Sequence, residues 1–417
     1  MRKMIHTPEG VRDVYGAECE RKLYLQRKLQ KIFHVYGYHD IETPTFEYLD
    51  VFSQKIGTTP SKDLYKFFDR EGNTLVLRPD FTPSMARAAS RYFQPEEFPI
   101  RLCYQGNTFV NNSSYQGRLK ESTQMGVELI GDASVDADGE IIALVVHMLK
   151  ETGLTDFQIS IGQMDFYRSL VKEAGLSDDL SATLQELISN RNYFGVEELV
   201  RGQNLSEEMV CLFTKMPQML GSLEMLEEAK TMTKNPGALS AIARLEELYD
   251  VLVQYRCERY VSFDLGMLSK YQYYTGIIFQ GYTYGTGEPL VKGGRYNHLL
   301  EAFGNPAPSI GFCLVMEQIM NALQRQCIDV PIYKGRTLLV YDEKTRNLAI
   351  RMSIAHRERY MEIQCMRMEE GKTATDYIPY GKHHQFVELV YPVSLQEIQV
   401  YNLFTDEKVQ TDWDGFR

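Results

Sequence analysis

Nowhere in this chain do eighteen apolar residues follow one another, so no segment is predicted to cross a membrane as a helix. The first residues, Met1 to Gly10, carry positive charge, but no apolar run follows them, which argues against a secretory leader. Cys19, Cys103, Cys211, Cys257, Cys313, Cys327 and Cys365 include no Cys-x-x-Cys pair; the expectation is reduced thiols in a cytoplasmic protein. His383-His384 is the one histidine doublet, and without further ligands it reads as a solvated loop. Basic residues are in deficit, 45 against 56 acidic, and the net charge of −11 argues against an extended nucleic-acid-binding face. The phosphate-loop pattern Gly-x-x-x-x-Gly-Lys-Ser/Thr is missing as well, so Gly281, Gly285, Gly287, Gly293 and Gly294 are read as hairpin turns and a pocket rim. No metal site and no cofactor is predicted.

What is present is more specific. The 417 residues, 44% hydrophobic, allow two or three domains with a globular core. In Ser122 to Ile130, Thr123, Met125, Val127 and Leu129 alternate with Gln124, Gly126, Glu128 and Ile130, the period of a strand. Gln124 and Glu128 then share a face, and Gly126 between them leaves room for a small ligand. An ordinary half-exposed strand fits the same alternation. Upstream, Phe67 to Leu77 reads as a hairpin, and Thr82 as the N-cap of a helix running from about Pro83 to Tyr92. Asp80, just outside that helix, is either a turn residue or a carboxylate that receives an ammonium group.

These residues fall into recognisable segments. Leu77-Arg78-Pro79-Asp80-Phe81-Thr82 resembles the Leu-Arg-Pro-Glu-Gly-Thr segment of the histidyl-tRNA synthetase family, and Gly117-Arg118 with Gln124-Met125-Gly126-Val127-Glu128 resembles the second half of its motif 2. Gly37 to Pro44 resembles motif 1, the dimer strand of class II synthetases. Tyr273-Tyr274-Thr275-Gly276 and Gly293-Gly294-Arg295-Tyr296 resemble the two histidine-specific segments, and Ser309 to Phe312 with Met316-Glu317 resembles motif 3. The resemblance implies an α+β fold, a class II aminoacyl-tRNA synthetase-like antiparallel sheet with flanking helices, followed by a small C-terminal α/β domain. It also implies a histidine pocket. Asp80 stands for the family's glutamate that meets the ligand's ammonium, Thr82 and Gln124 fix the amino-acid backbone, and Glu128, Tyr273 and Tyr274 recognise the imidazole. A carboxylate with phenol hydroxyls suits an imidazole in either protonation state.

The nucleotide side of the resemblance departs from the family. Phe109-Val110-Asn111-Asn112 aligns with Phe-Arg-x-Glu, Val315-Met316-Glu317-Gln318 with Gly-Leu-Glu-Arg, and Leu268-Ser269-Lys270 with Val-Arg-Gly, so Val110, Gln318 and Ser269 stand at arginine positions. Adenylation needs cations where charge develops at the α-phosphate; one such group contributes on the order of a hundredfold to a thousandfold in rate. Lys270, one place from Ser269, lacks an arginine's bidentate fork. A kept histidine pocket without adenylation is similar to the regulatory subunits of ATP phosphoribosyltransferase. That resemblance implies a non-catalytic chain that self-dimerises and joins the short-form catalytic subunit, in a hetero-octamer, with L-histidine as feedback effector in the first step of histidine biosynthesis. The alternative is a histidyl-tRNA synthetase-like protein, active or RNA-binding.

The rest of the chain fits a simple plan. A class II-like domain is expected over 1–330, with a leucine- and glutamate-rich helical insertion over about 166–255, then an anticodon-binding-like α/β domain over 334–417. Strands are expected near Ile100 to Gln105, Phe157 to Gly162, Val261 to Leu265, Gly276 to Tyr282, Leu290 to Gly293 and Ser309 to Leu314, and helices over Gly139 to Thr152 and Met316 to Arg325.

Overall fold

The computed structural model describes residues 6–52, 59–112, 119–269, 271, 273–331 and 335–413. Lys270, Gly117 and Arg118 lie outside them. Two compact units divide the chain, Met1–Val330 and Pro331–Arg417.

The first unit is built on a nine-stranded sheet. Its strands, with those of a small three-stranded sheet, run in chain order β1 (His39–Asp40), β2 (Phe46–Tyr48), β3 (Lys66–Phe68), β4 (Thr74–Leu77), β5 (Ile100–Phe109), β6 (Glu121–Ile130), β7 (Phe157–Gln163), β8 (Leu220–Gly221), β9 (Val261–Asp264), β10 (Ile277–Thr283), β11 (Val291–Arg295) and β12 (Ser309–Val315). The spatial order is β1-β5-β6-β12-β11-β10-β7-β9-β8, with β2-β4-β3 apart. From β5 through β7 every pairing is antiparallel. This is the synthetase-like α+β sheet expected from the sequence.

One face of the sheet is the core. Met125, Val127 and Leu129 of β6 pack there with helices α1 (Gly16–Val35) and, beyond α2 (Thr82–Tyr92), α3 (Val135–Glu151). The alternation in β6 is therefore a division between oil and pocket, because successive side chains leave a strand on opposite sides. Helix α3 starts earlier than its sequence pattern predicts: the Ser134 hydroxyl accepts from the Ala137 N–H and caps it, placing Gly139 inside the first turns. Gly139 lies against Val251; an added Cβ would stand 2.3 Å from that side chain. Strand β5 also runs four residues beyond its expected end, to Phe109.

Between β7 and β9 come α4 (Met164–Ala174), α5 (Asp178–Ser189), α6 (Tyr193–Arg201), α7 (Glu207–Lys215), α8 (Leu223–Thr231) and α9 (Pro236–Gln254). Helix α10 (Met316–Arg325) follows β12 directly. Glu317, at its first turn, accepts the Thr123 N–H at 2.9 Å and pairs with Lys22 of α1 at 2.9 Å, tying three elements together beneath β6.

The second unit carries β13 (Thr337–Tyr341), β14 (Ile363–Arg367), β15 (Glu388–Pro392), β16 (Ile398–Asn402) and β17 (Lys408–Thr411) in the order β14-β13-β15-β16-β17. Helix α11 (Arg346–Glu358) packs Ala349 and Met352 on Leu339, Val390 and Ile398. The other sheet face, Leu338, Val340 and Leu389, meets Ala374 and Tyr377, which precede α12 (Ile378–His383). No described helix in either unit is long and apolar enough to cross a membrane.

A buried ionic cluster fixes β11 to α3. Asp138, with no solvent exposure, accepts from Arg295 Nε at 2.8 Å and pairs with Arg244 of α9 at 2.6 Å. Arg295 is itself 2% exposed and also donates to the Asp132 carbonyl at 2.7 Å. Removing one partner leaves a buried charge uncompensated. Asp138→Ala is expected to cost about 3–5 kcal/mol in urea unfolding; a loss under about 1 kcal/mol would show that the cluster is not holding these elements together.

Candidate functional site

The second face of the sheet carries the polar residues singled out in the sequence. Gln124, Gly126 and Glu128 of β6 lie on it, beside Tyr104 of β5 and Gly311 of β12. Glu128 is 1% exposed, and its carboxylate is held by neutral donors: the Thr82 hydroxyl at 2.9 Å on one oxygen and the Tyr296 hydroxyl on the other. Burial raises its pKa to about 8, against the two hydroxyl donations and with help from the negative charge of Asp80.

Asp80 stands at the start of α2. Its Oδ1 accepts the Thr82 N–H at 3.3 Å and its Oδ2 accepts the Tyr273 hydroxyl at 3.3 Å. Burial raises its pKa too, opposed by those hydrogen bonds. Neither Asp80 nor Glu128 makes an ion pair with a described residue. Thr82 departs from its expected capping role: it is the first residue of α2, Phe81 holds the cap position, and the Thr82 hydroxyl is spent on Glu128. Asp80 takes over at the helix start, satisfying an otherwise free N–H from two residues upstream.

Aromatic rings wall the site. Tyr273 lies 4.6 Å from Tyr274 and 5.9 Å, edge-on, from Tyr296, while Phe81 stacks on Tyr104 at 4.3 Å. Arg168 donates to the Tyr274 carbonyl at 2.6 Å and so fixes the tyrosine segment. Glycines form the floor. A Cβ on Gly311 would stand 1.7 Å from the Glu128 carboxylate, one on Gly126 2.4 Å from the Tyr104 hydroxyl, and one on Gly294 2.8 Å from the Tyr274 ring. Gln124, on the same face, has its amide oxygen buried and unpartnered. An orphaned buried acceptor costs about 1–3 kcal/mol, which a ligand donor would recover.

All six residues proposed from the sequence, Asp80, Thr82, Gln124, Glu128, Tyr273 and Tyr274, thus lie around one face of the sheet. Tyr296 and Gly311 join them without a role assigned from the sequence, and so does Gly294, one of the glycines read as hairpin turns and a pocket rim, which lies within β11; the Gly-Gly-Arg-Tyr segment is the one available signal for Tyr296. Arg78 is not free to bind a ligand. It donates to the carbonyls of Asn107 at 2.8 Å, Thr43 at 2.9 Å and Pro44 at 3.3 Å and lies over the Phe81 ring. Of the three residues expected from the sequence to stand at arginine positions, Ser269 accepts the Tyr271 N–H at 3.1 Å, Val110 follows β5 with its N–H on the Lys120 carbonyl, and Gln318 occupies the first turn of α10.

The family model described as histidyl-tRNA synthetase matches residues 10–319. An ATP phosphoribosyltransferase regulatory subunit from Acetivibrio thermocellus is 38% identical, over 86% of each chain. The protein of the same description from Ruminiclostridium cellulolyticum is 35% identical over 98% of this chain and 97% of its own. The chain belongs to the ATP phosphoribosyltransferase regulatory subunit family. A solved structure described as a regulatory subunit/histidyl-tRNA synthetase from Bacillus halodurans, 30% identical, superposes with a TM-score of 0.82 over 94% of this chain and 99% of that one.

Two other features of this family member fit a ligand less well. A cleft of about 1040 Å³ has Lys150 and Arg259 in its lining, but both cations already face the Tyr260 ring, at 6.0 and 4.6 Å. His34, Asp40 and Cys103 lie close enough to share a metal ion. The Cys103 thiol, however, is pushed up to about 12 by burial and donates to Asp40, so it is a poor thiolate ligand.

The raised pKa of Glu128 has a consequence for stability. Its usual value is 4.5, so between 4.5 and about 8 the folded chain holds a proton that the unfolded chain releases, and stability falls as pH rises through that window. Glu128→Gln is expected to remove this component. Urea midpoints measured from pH 5 to pH 8.5 should fall less steeply in the variant; parallel profiles would contradict the assignment.

Proposed function

We propose that the chain is a non-catalytic regulatory subunit that assembles with a short-form ATP phosphoribosyltransferase catalytic subunit in the cytoplasm. It is required for that subunit's activity and conveys inhibition when L-histidine occupies the pocket, giving feedback on the first step of histidine biosynthesis. The observation that carries the reading is a pair of neighbouring carboxylates, Glu128 buried and Asp80 half-buried, held by hydroxyls and making no ion pair with a described residue. Such a pair calls for a cationic ligand. Histidine supplies two cationic groups, an ammonium for Asp80, beside Thr82 and Gln124, and an imidazole for Glu128, with Tyr273 and Tyr274 as walls. Val110, Ser269 and Gln318 provide no guanidinium for an adenylation transition state, which favours binding without amino-acid activation. Self-dimerisation through the Gly37–Pro44 segment, a hetero-octameric complex and an anticodon-binding-like C-terminal domain over 334–417 belong to the same proposal; tRNA is not proposed as a partner.

Mixed with a short-form catalytic subunit, the chain should raise phosphoribosyl transfer and added histidine should suppress it. Glu128→Ala should keep the stimulation and weaken histidine inhibition by roughly tenfold or more, since a charge-assisted hydrogen bond contributes about 1.5–3 kcal/mol. Histidine-dependent ATP–pyrophosphate exchange by the purified chain would instead establish a synthetase.

The proton count in the pocket sets the pH dependence of binding. A neutral Glu128 with a neutral imidazole carries one proton, and so does a carboxylate with an imidazolium. Affinity should therefore be level between about 6.5, where imidazole takes up a second proton, and about 8, where Glu128 loses its own. It should weaken on both sides. Calorimetric titrations across pH 5.5 to 9 test this, and Glu128→Gln should abolish the Glu128 contribution to the alkaline decline.

A further inference from the structure

The pocket as described has acids for an amino acid's cationic groups and nothing for its carboxylate. We infer that Lys292 supplies that missing charge: it lies on the pocket face of β11 and receives the α-carboxylate of the bound amino acid. The inference rests on the histidine-pocket reading and deepens it.

Strand register places Lys292. It is paired with Cys313 of β12, and Cys313 is paired with Gly126 of β6, so Gly126, Cys313 and Lys292 form one row across the sheet. The neighbouring row is Glu128, Gly311 and Gly294. Lys292 and Gly294 are two residues apart on one strand and so share a face. That face is the pocket, because a Cβ on Gly294 would strike the Tyr274 ring and one on Gly311 the Glu128 carboxylate. Two strand spacings, roughly 10 Å, separate Gly126 from Lys292. An amino acid spans such a gap with its imidazole toward Glu128 and its carboxylate toward the lysine.

The surroundings leave the ammonium group of Lys292 available. It is half-buried, and among the described residues it has no side-chain hydrogen-bond or ion-pair partner. Its charge is nevertheless felt in the pocket, where it favours the ionised form of Asp80. Arg78 and Arg295, which flank the same strands, are committed to backbone carbonyls and to Asp138. A lysine is a point charge on a flexible stem, suited to one carboxylate and without the planar fork that grips a transferring phosphoryl group. The pocket on this account selects a free amino acid and discriminates against a ligand whose carboxylate has been replaced.

L-Histidinol, which keeps the ammonium and imidazole but has a hydroxymethyl group in place of the carboxylate, is the probe. Calorimetric titration of the full chain with L-histidine and with L-histidinol should show at least a tenfold preference for histidine. Lys292→Gln should lose at least tenfold in histidine affinity, keep its histidinol affinity within about twofold, and so erase the preference; Lys292→Arg should restore much of it. An unchanged preference in Lys292→Gln overturns the assignment, and so does an equal loss of both ligands, which marks a structural role. Binding of neither ligand by the unaltered chain is a separate failure, of the pocket reading itself, and removes this assignment with it.

Discussion

Glu128 is the constraint around which the pocket is arranged. A carboxylate removed from water must be neutralised by a proton, a cation or a dense set of donors. Here two hydroxyls, from Thr82 and Tyr296, are its donors, and they do not hold the pKa down: it stands near 8. The environment is thus incomplete in a definite sense, because one more donor or cation would stabilise the ionised form. The glycines at 126, 294 and 311 let Tyr104, Tyr274 and Glu128 itself close on the sheet. A side chain at Gly311 would occupy the position of the carboxylate itself.

The cations of the sheet region divide by face. Lys22 ties α1 to Thr123 and Glu317, and Arg295 with Arg244 encloses Asp138, all beneath the sheet. Arg78 approaches the pocket but is consumed by three backbone carbonyls. A strand that presents apolar residues to one side and carboxylate, amide and glycine to the other can serve packing and recognition independently. The three residues read as standing at arginine positions lie apart from that division: Ser269 closes a local turn, Val110 follows a strand end and Gln318 sits in the first turn of α10.

Legibility in the sequence follows the range of the interactions. The alternation over β6 is local, and period two alone is enough to put Gln124, Gly126 and Glu128 on one face. The family resemblance supplies Asp80, Tyr273 and Tyr274, whose sequence separation from β6 no periodicity can bridge. Thr82 carries the signal of a cap, as any threonine before a proline does, and that signal is blind to a buried carboxylate competing for the hydroxyl. Tyr296 meets Glu128 across 168 positions, and the meeting depends on the β12–β11 register, which is set by pairing along the whole sheet. Short strands such as β8 and β17 leave no period to read.

Binding without chemistry has a physical advantage for a regulator. An enzyme must spend binding energy on the transition state and leave the ground state loosely held. If the pocket holds histidine as proposed, its whole interaction goes to the bound state, and any part of that interaction that differs between two arrangements of a complex shifts their balance. The coupling can be no larger than the differential affinity, typically about 1–3 kcal/mol. On the proposed reading Glu128 would deliver it, since its partners Thr82 and Tyr296 lie on different elements, the start of α2 and the residue after β11. A ligand that takes one of those hydrogen bonds for itself changes what holds the two together. On that reading, the same carboxylate that makes the empty pocket costly would give the filled one a means of acting beyond its own walls.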